Sequence, residues 1–324
     1  MTTQDKLPYP PEYYANQYDD EIDLKELFIA LWKGKWLIIL TTIVFAAGAV
    51  AYALHLPNIY KSDVLLAPSE SSGQGGLSKM AAQFGGLASL AGINLNSGSS
   101  SQTDLAVQVL KSRQFIDAFI QKHELLVPLM ASKGWALAQN TLIYDEKVYN
   151  VQTNAWLREP VGLRGSKPSE QEAYDRFIKE VLSVNQDKES SLYTISVSFY
   201  SPFIAKRWAT WLVEDINQVM RDRTIAESTQ NLNYLNEQLA KTAVADMQST
   251  FYKLIEEQTK SLMLAEVQEE FVFKVVDPAV VPEIKAKPKR ALIAVLGTLL
   301  GGMLGVAIVL VRFAFKKEKK EKEK

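Results

Sequence analysis

The sequence predicts an α+β protein in which two transmembrane helices flank an extramembrane domain. That domain combines a small membrane-proximal β-sheet with a long projecting α-helical hairpin. Three observations carry this. Trp36 to Leu54 and Ala291 to Val311 hold no charged residue, and each is about long enough to cross roughly 30 Å of hydrocarbon as a helix. No glycine or proline interrupts the chain between Pro202 and Pro278. Short segments of period-two alternation lead into that stretch and leave it.

Residues 1–35 form an N-terminal tail with an amphipathic helix. The tail is rich in tyrosine and proline up to Asp20, and its composition fits a flexible segment. Leu24, Leu27, Phe28, Leu31 and Trp32 then recur at helical spacing. This suits a helix on the membrane face, with Trp32 and Trp36 at headgroup depth. Residues 36–56 are the first span. It begins behind an acidic stretch and no small-residue cleavage site follows it, so it reads as a retained anchor and not as a signal peptide.

Residues 57–201 form an α/β base. Ile59 to Leu66 reads as a strand. Between Ser69 and Ser101, serine and glycine runs bracket a small apolar stretch with Met80, Phe84, Leu87, Leu90 and Ile93. Two readings stay open: a short helix tucked on its own core, or an apolar patch covered by a neighbouring subunit or the membrane surface. Leu105 to Leu126 reads as one helix with Val109, Phe115, Ile116 and Phe119 on one face, and His123 near its end as a helix C-terminal partner. Pro168 to Leu182 is a further helix, opened by the stretch SKPSEQE. Leu182–Asn185 and Leu192–Tyr200 form a strand hairpin around a polar turn.

Residues 202–268 are the long helical stretch. Ser201 and Pro202 open it as an N-cap and a ring at the first helical position. Apolar residues follow at Ile204, Trp208, Trp211, Leu212, Ile216, Val219 and Met220, and resume from Leu232. A single rod would run roughly 90 Å at about 1.5 Å per residue. Yet strands of one sheet lie before and after it, so the helix must go out and return, bending between about Gln238 and Thr250. Tyr234 and Phe251 are placed to pack across the hairpin or between protomers. Glu214, Asp215, Asp222 and Glu227, interleaved with Lys206, Arg207, Arg221 and Arg223, read as a solvated helix face.

Residues 269–290 comprise a return strand, Glu270 to Val276, and a connector. Pro278, Pro282 and Pro288 fix backbone angles and disfavour helix before them, which makes the connector extended and stiff. Lys289 and Arg290 then stand at headgroup level. In the second span, residues 291–311, Gly297, Gly301 and Gly305 recur at i+4 and make a flat face for close helix approach. Its partner is Ala47, Gly48 and Ala51 of the first span, or a neighbouring copy. Residues 312–324 are a short basic tail.

Lysines and arginines crowd the termini side (Lys25, Lys33, Lys35, Arg312 and the lysines of 316–324) more than the other side (Lys61, Lys274, Lys285, Lys287, Lys289, Arg290). The bias puts both termini inside and residues 57 to 290 outside. The net charge of -1 gives no nucleic-acid footprint. With no cysteine and only His55 and His123, thiolate chemistry and a histidine-rich metal site are excluded. No phosphate loop, dinucleotide fingerprint, HExxH or nucleophile elbow is present. The chain therefore reads as non-catalytic, with no cofactor. A transmembrane sensor and a membrane-bound enzyme acting on undecaprenyl-linked sugars are the competing classes. The first has little chain left for an output module and the second has no candidate nucleophile.

The arrangement resembles the Wzz-type chain-length determinants, the polysaccharide co-polymerases of the bacterial inner membrane. The residues that carry the resemblance are DEIDLKELFIALWKGKW, Asp20 to Trp36, and DPAVVPEIKAKPKRALI, Asp277 to Ile293, with the glycines that follow. Family members often carry a further proline where Lys285, Ala286 and Lys287 stand. The resemblance implies a ring- or bell-shaped homo-oligomer with both termini cytoplasmic and residues 57–290 periplasmic. It implies control of how far a partner O-antigen polymerase extends a lipid-linked glycan in lipopolysaccharide biosynthesis. Because the chain ends soon after Phe315, no kinase domain is expected, which favours the O-antigen branch. The alternative is a co-polymerase or export partner for capsule or exopolysaccharide, working with a separate kinase.

Overall fold

The structure is a computed structural model that describes residues 24–69, 100–242 and 244–322. The tyrosine-rich start of the N-terminal tail and the apolar stretch between the serine and glycine runs lie outside the described residues. Two compact units are present: Pro57–Pro288, and the helices on either side of it, up to Leu56 and from Lys289.

The outer helices are α1 (Leu24–Lys33), α2 (Lys35–His55) and the last helix, Arg290–Lys322. Two of these segments, Lys35–His55 and Arg290–Phe315, are long and apolar enough to cross a membrane. The last helix does not stop at Val311 as the charge pattern suggests. It continues into the basic residues, because lysine and glutamate are good helix formers and no glycine or proline breaks the run.

The other unit is built on a four-stranded antiparallel sheet, β1 (Tyr60–Pro68), β6 (Leu182–Gln186), β7 (Tyr193–Phe199) and β8 (Phe273–Asp277), in the order β6-β7-β1-β8. Ser62, Val64 and Leu66 alternate inward along β1, and Val64 stands opposite Ile195. β8 pairs with the far end of β1, Leu66 opposite Val275. It starts three residues later than the apolar run predicts. Phe271 and Val272 are buried ahead of it and fill the core, the Val272 carbonyl still accepting from the Ser69 N–H at 2.9 Å.

Between β1 and β6 lie α3 (Ser100–Leu110), α4 (Arg113–Lys122), α5 (Leu126–Ala131) and α6 (Glu170–Arg176), which runs into a wider turn over Phe177–Val181. The single helix expected over Leu105 to Leu126 is two. Ser112 takes an extended backbone and its hydroxyl caps α4 by accepting from the Phe115 N–H, a local competition that serine often wins. Two small antiparallel pairs, β2 (Ser132–Ala136) with β3 (Thr141–Tyr144) and β4 (Tyr149–Asn150) with β5 (Ala155–Trp156), lie between α5 and α6 in the chain. Arg158 then reaches back to α6. Its guanidinium meets Glu172 through two oxygens, at 2.8 and 2.6 Å, and donates to the carbonyls of Gly165 and Ser166.

The helical stretch divides into α7 (Pro202–Lys241) and α8 (Ala245–Val267). Ser201 caps α7 by accepting from Ile204 N–H, and Pro202 occupies its first turn. Ala205, Trp208, Ala209, Leu212, Val213, Ile216 and Met220 bury one stripe in the core. Beyond Met220 only Ser228 of α7 is buried. There α7 lies antiparallel to α8, with Ser228 beside Ser261 and Asn231 beside Gln258. At about 1.5 Å per residue α7 is about 60 Å long. Tyr234 is exposed on α7, and Phe251 is half-buried on α8.

Candidate functional site: span pair, connector and buried polar latches

The last helix, α9 (Arg290–Lys322), packs closely on α2. A Cβ added at Gly301 would stand 2.6 Å from the Phe45 Cβ and 3.1 Å from the Thr42 Cα. One at Gly305 would stand 2.9 Å from the Ile38 Cα and collide with the Thr41 hydroxyl, and one at Gly297 would collide with the Ala49 methyl. The glycines therefore let the two backbones approach closely, as small residues do where helices pack face to face. The partner face is Ile38, Thr41, Thr42, Phe45 and Ala49, not Ala47, Gly48 and Ala51. Gly48 points into open space. A helix turns about 100° per residue, so small residues two positions away face elsewhere. Thr41 and Thr42 satisfy their hydroxyls on the carbonyls of Leu37 and Ile38, at 2.7 to 3.1 Å.

Arg290 has a more definite place than a headgroup-level charge. Its Nε donates to the Ala53 carbonyl at 3.0 Å and its Nη2 to the Leu56 carbonyl at 3.5 Å. The cation thus covers carbonyls that the C-terminus of α2 leaves without helical partners. Lys289 is exposed. At the other end of the span pair, Gly34 ends α1 against the side chain of Val309. Trp32 and Trp36 are exposed, Trp32 stacking on Phe28 at 6.4 Å with the Lys35 ammonium 4.9 Å over its ring.

The connector runs from Pro278 to Pro288, by way of Pro282, along the edge of the sheet. The Ser62 hydroxyl donates to the Val280 carbonyl at 2.8 Å. Ile59 pairs with Lys287 through Ile59 N–H to Lys287 O at 2.9 Å, and Ala286 N–H returns to Ile59 O at 2.8 Å. Ala286 and Lys287 thus both provide N–H groups to the Ile59 carbonyl where a proline has none.

Two buried polar residues that the sequence hid inside the α7 stripe tie this unit together. Asn217, 4% exposed, donates to the Phe273 carbonyl at 2.8 Å, and its oxygen accepts from the N–H groups of Val272 and Phe273 at 2.9 and 2.8 Å. Asp215 was expected on a solvated face together with Glu214, Asp222 and Glu227. It is instead buried, with Lys122 at 2.7 Å and His123 at 2.9 Å. His123 is the C-cap of α4, its backbone N–H on the Phe119 carbonyl at 3.2 Å. Its ring bonds Asp215 and stacks on Trp211 at 4.1 Å. The signal missed was position: Asp215 and Asn217 flank Ile216 on the apolar side of α7.

Glu172 sits with Arg158, and the hydrogen bonds from that guanidinium hold its carboxyl at about 2, helped by the Ser169 N–H of the capping box. Burial pushes the Tyr193 phenol up to about 12, aided by its hydrogen bond to Asp104. Among the described residues no cluster of three His, Asp or Glu side chains could hold a metal.

Residues 20–123 match the Wzz family, described as chain length determinant protein. Residues 238–314 match the GNVR family, described as "G-rich domain on putative tyrosine kinase". The Wzz match contains α2 and β1. The GNVR match contains β8 and most of α9, including Gly297, Gly301 and Gly305. The two matched segments meet twice, as β1 on β8 and α2 on α9. Among solved structures, a full-length bacterial polysaccharide co-polymerase is 15% identical, with 91% of this chain and 99% of that chain covered at a TM-score of 0.37. A fragment of WzzB, a polysaccharide co-polymerase from Salmonella Typhimurium, is 14% identical, with 71% and 100% covered at a TM-score of 0.30. No curated protein matches the chain.

Proposed function

We propose that this protein sets the length of the O-antigen on bacterial lipopolysaccharide without catalysing a reaction. In this reading it is anchored in the inner membrane with both termini cytoplasmic, and residues 57–290 stand in the periplasm as a homo-oligomer. It governs by shape how far a partner polymerase extends a lipid-linked glycan. The observation that carries the reading is the chain length determinant match over residues 20–123, which build the first candidate span and the central strand β1. The latches at Asn217, Arg290 and Ile59 support it, since a positioning device must resist deformation.

One observation favours a second reading. The match of residues 238–314 to a domain named for a tyrosine kinase supports a co-polymerase or export partner for capsule or exopolysaccharide that works with a separate kinase. A single comparison tests both: lipopolysaccharide and extracellular polysaccharide from cells with and without the gene, resolved by size. Loss of modal length in the lipopolysaccharide ladder supports the first reading. An unchanged ladder with altered capsule or exopolysaccharide supports the second. Turnover of a sugar substrate by the isolated protein would overturn both.

A further inference from the structure

Three rings stand in a row in the Pro57–Pro288 unit. Tyr60 meets Trp135 edge-on at 5.8 Å, and Trp135 meets Phe203 at 6.2 Å. They come from the start of β1, from β2 and from the first turn of α7. The Trp135 indole N–H donates to Asn140 Oδ1 at 3.0 Å within the β2–β3 turn. Leu137 in the same turn is 77% exposed, and Phe203 is 44% exposed. Turns at a water-facing surface favour glycine, proline, asparagine, aspartate and serine, so a bare leucine beside an aromatic row calls for another solvent.

The covalent path says which. Tyr60 is four residues beyond Leu56, and its neighbour Ile59 is bonded to Lys287, three residues before Arg290. Four residues reach about 14 Å at most. An aromatic row tied so closely to the ends of two spans falls within reach of the headgroup layer, where amphipathic rings are favoured. Ile284, 82% exposed, extends the apolar edge, and exposed Lys133 and Lys206 offer cations to lipid phosphates.

We propose that Tyr60, Trp135 and Phe203, with Leu137 at the rim, form an interfacial anchor that seats this unit on the lipid surface. The proposal rests on the spanning assignment of α2 and α9. The chain has no cysteine, so single labels are unambiguous. L137C and F203C carry nitroxide labels in the full chain, reconstituted in vesicles of phosphatidylcholine and phosphatidylglycerol. V44C, in α2, and Y234C, on the exposed face of α7, are the references. Accessibility to oxygen and to a nickel chelate is read at each site. The expected result is lipid-like behaviour at V44C, water-like behaviour at Y234C, and a loss of chelate accessibility relative to Y234C at both L137C and F203C. Chelate accessibility equal to Y234C at both sites, with V44C lipid-like, overturns the anchor alone. A water-like V44C overturns the spanning assignment and the anchor with it.

Discussion

Replacing Gly301 with leucine tests the packing of the span pair most directly. The first added carbon already lies 2.6 Å from the Phe45 Cβ and 3.1 Å from the Thr42 Cα. Ordinary carbon contacts are about 3.5–4.0 Å, so α2 and α9 must part by roughly 0.5–1 Å to admit even alanine. A Cα cannot step aside as a side-chain tip can. Overpacking of this kind costs about 1–3 kcal/mol, and we assign about 1 to alanine and about 2–3 to leucine. That is about 30- to 150-fold in the equilibrium between packed and separated spans. Gly48→Leu is the matched control, since nothing lies within 4 Å of a Cβ there. Unfolding of the purified full chain in mixed detergent–SDS micelles, followed by tryptophan fluorescence, reads the difference. If Gly301→Leu and Gly48→Leu shift the midpoint equally, close apposition through the glycine face is wrong. In cells, Gly301→Leu is expected to broaden the glycan length distribution.

Asn217→Ala removes three hydrogen bonds and leaves two N–H groups and one carbonyl of the β8 lead-in buried without partners. The expected loss is about 3–5 kcal/mol in urea unfolding, and a loss below about 1 kcal/mol would show that water takes over the site. For Arg290→Ala the expected loss is about 1–2 kcal/mol, located in the last turn of α2. Faster amide exchange at residues 53–56 checks it, and unchanged protection refutes it. The Glu172 carboxyl is lowered from 4.5 to about 2, so its contribution is complete above the unfolded value and is lost as pH falls through the folded one. The shift caps that contribution at about 3.4 kcal/mol. Solvent around the pair reduces it to about 1–2 kcal/mol. Between pH 6 and pH 2.5 the wild type should lose that much more stability than Glu172→Gln, and equal losses would remove the Arg158 latch.

Both candidate spans were legible because hydrocarbon imposes length and charge exclusion on consecutive residues, which a linear pattern displays. The strands β1, β6 and β7 and the cap at Ser201–Pro202 were legible for the same local reason. The return of α8 on α7 followed from strands lying on both sides of one helical stretch. The sequence by itself thus determined the two apolar spans, the long helical stretch and the strands on either side of it, while the break at Ser112 and the start of β8 escaped it. Tertiary structure alone decided partners. It set Phe45 and Ala49 rather than Gly48 against the glycines, turned Asp215 and Asn217 inward, and gave Arg290 the carbonyls of α2. The physical reason is that periodicity reports which face of an element is apolar. Whether a polar side chain within that face is satisfied depends on groups tens to hundreds of residues away, which meet it only when the chain is folded.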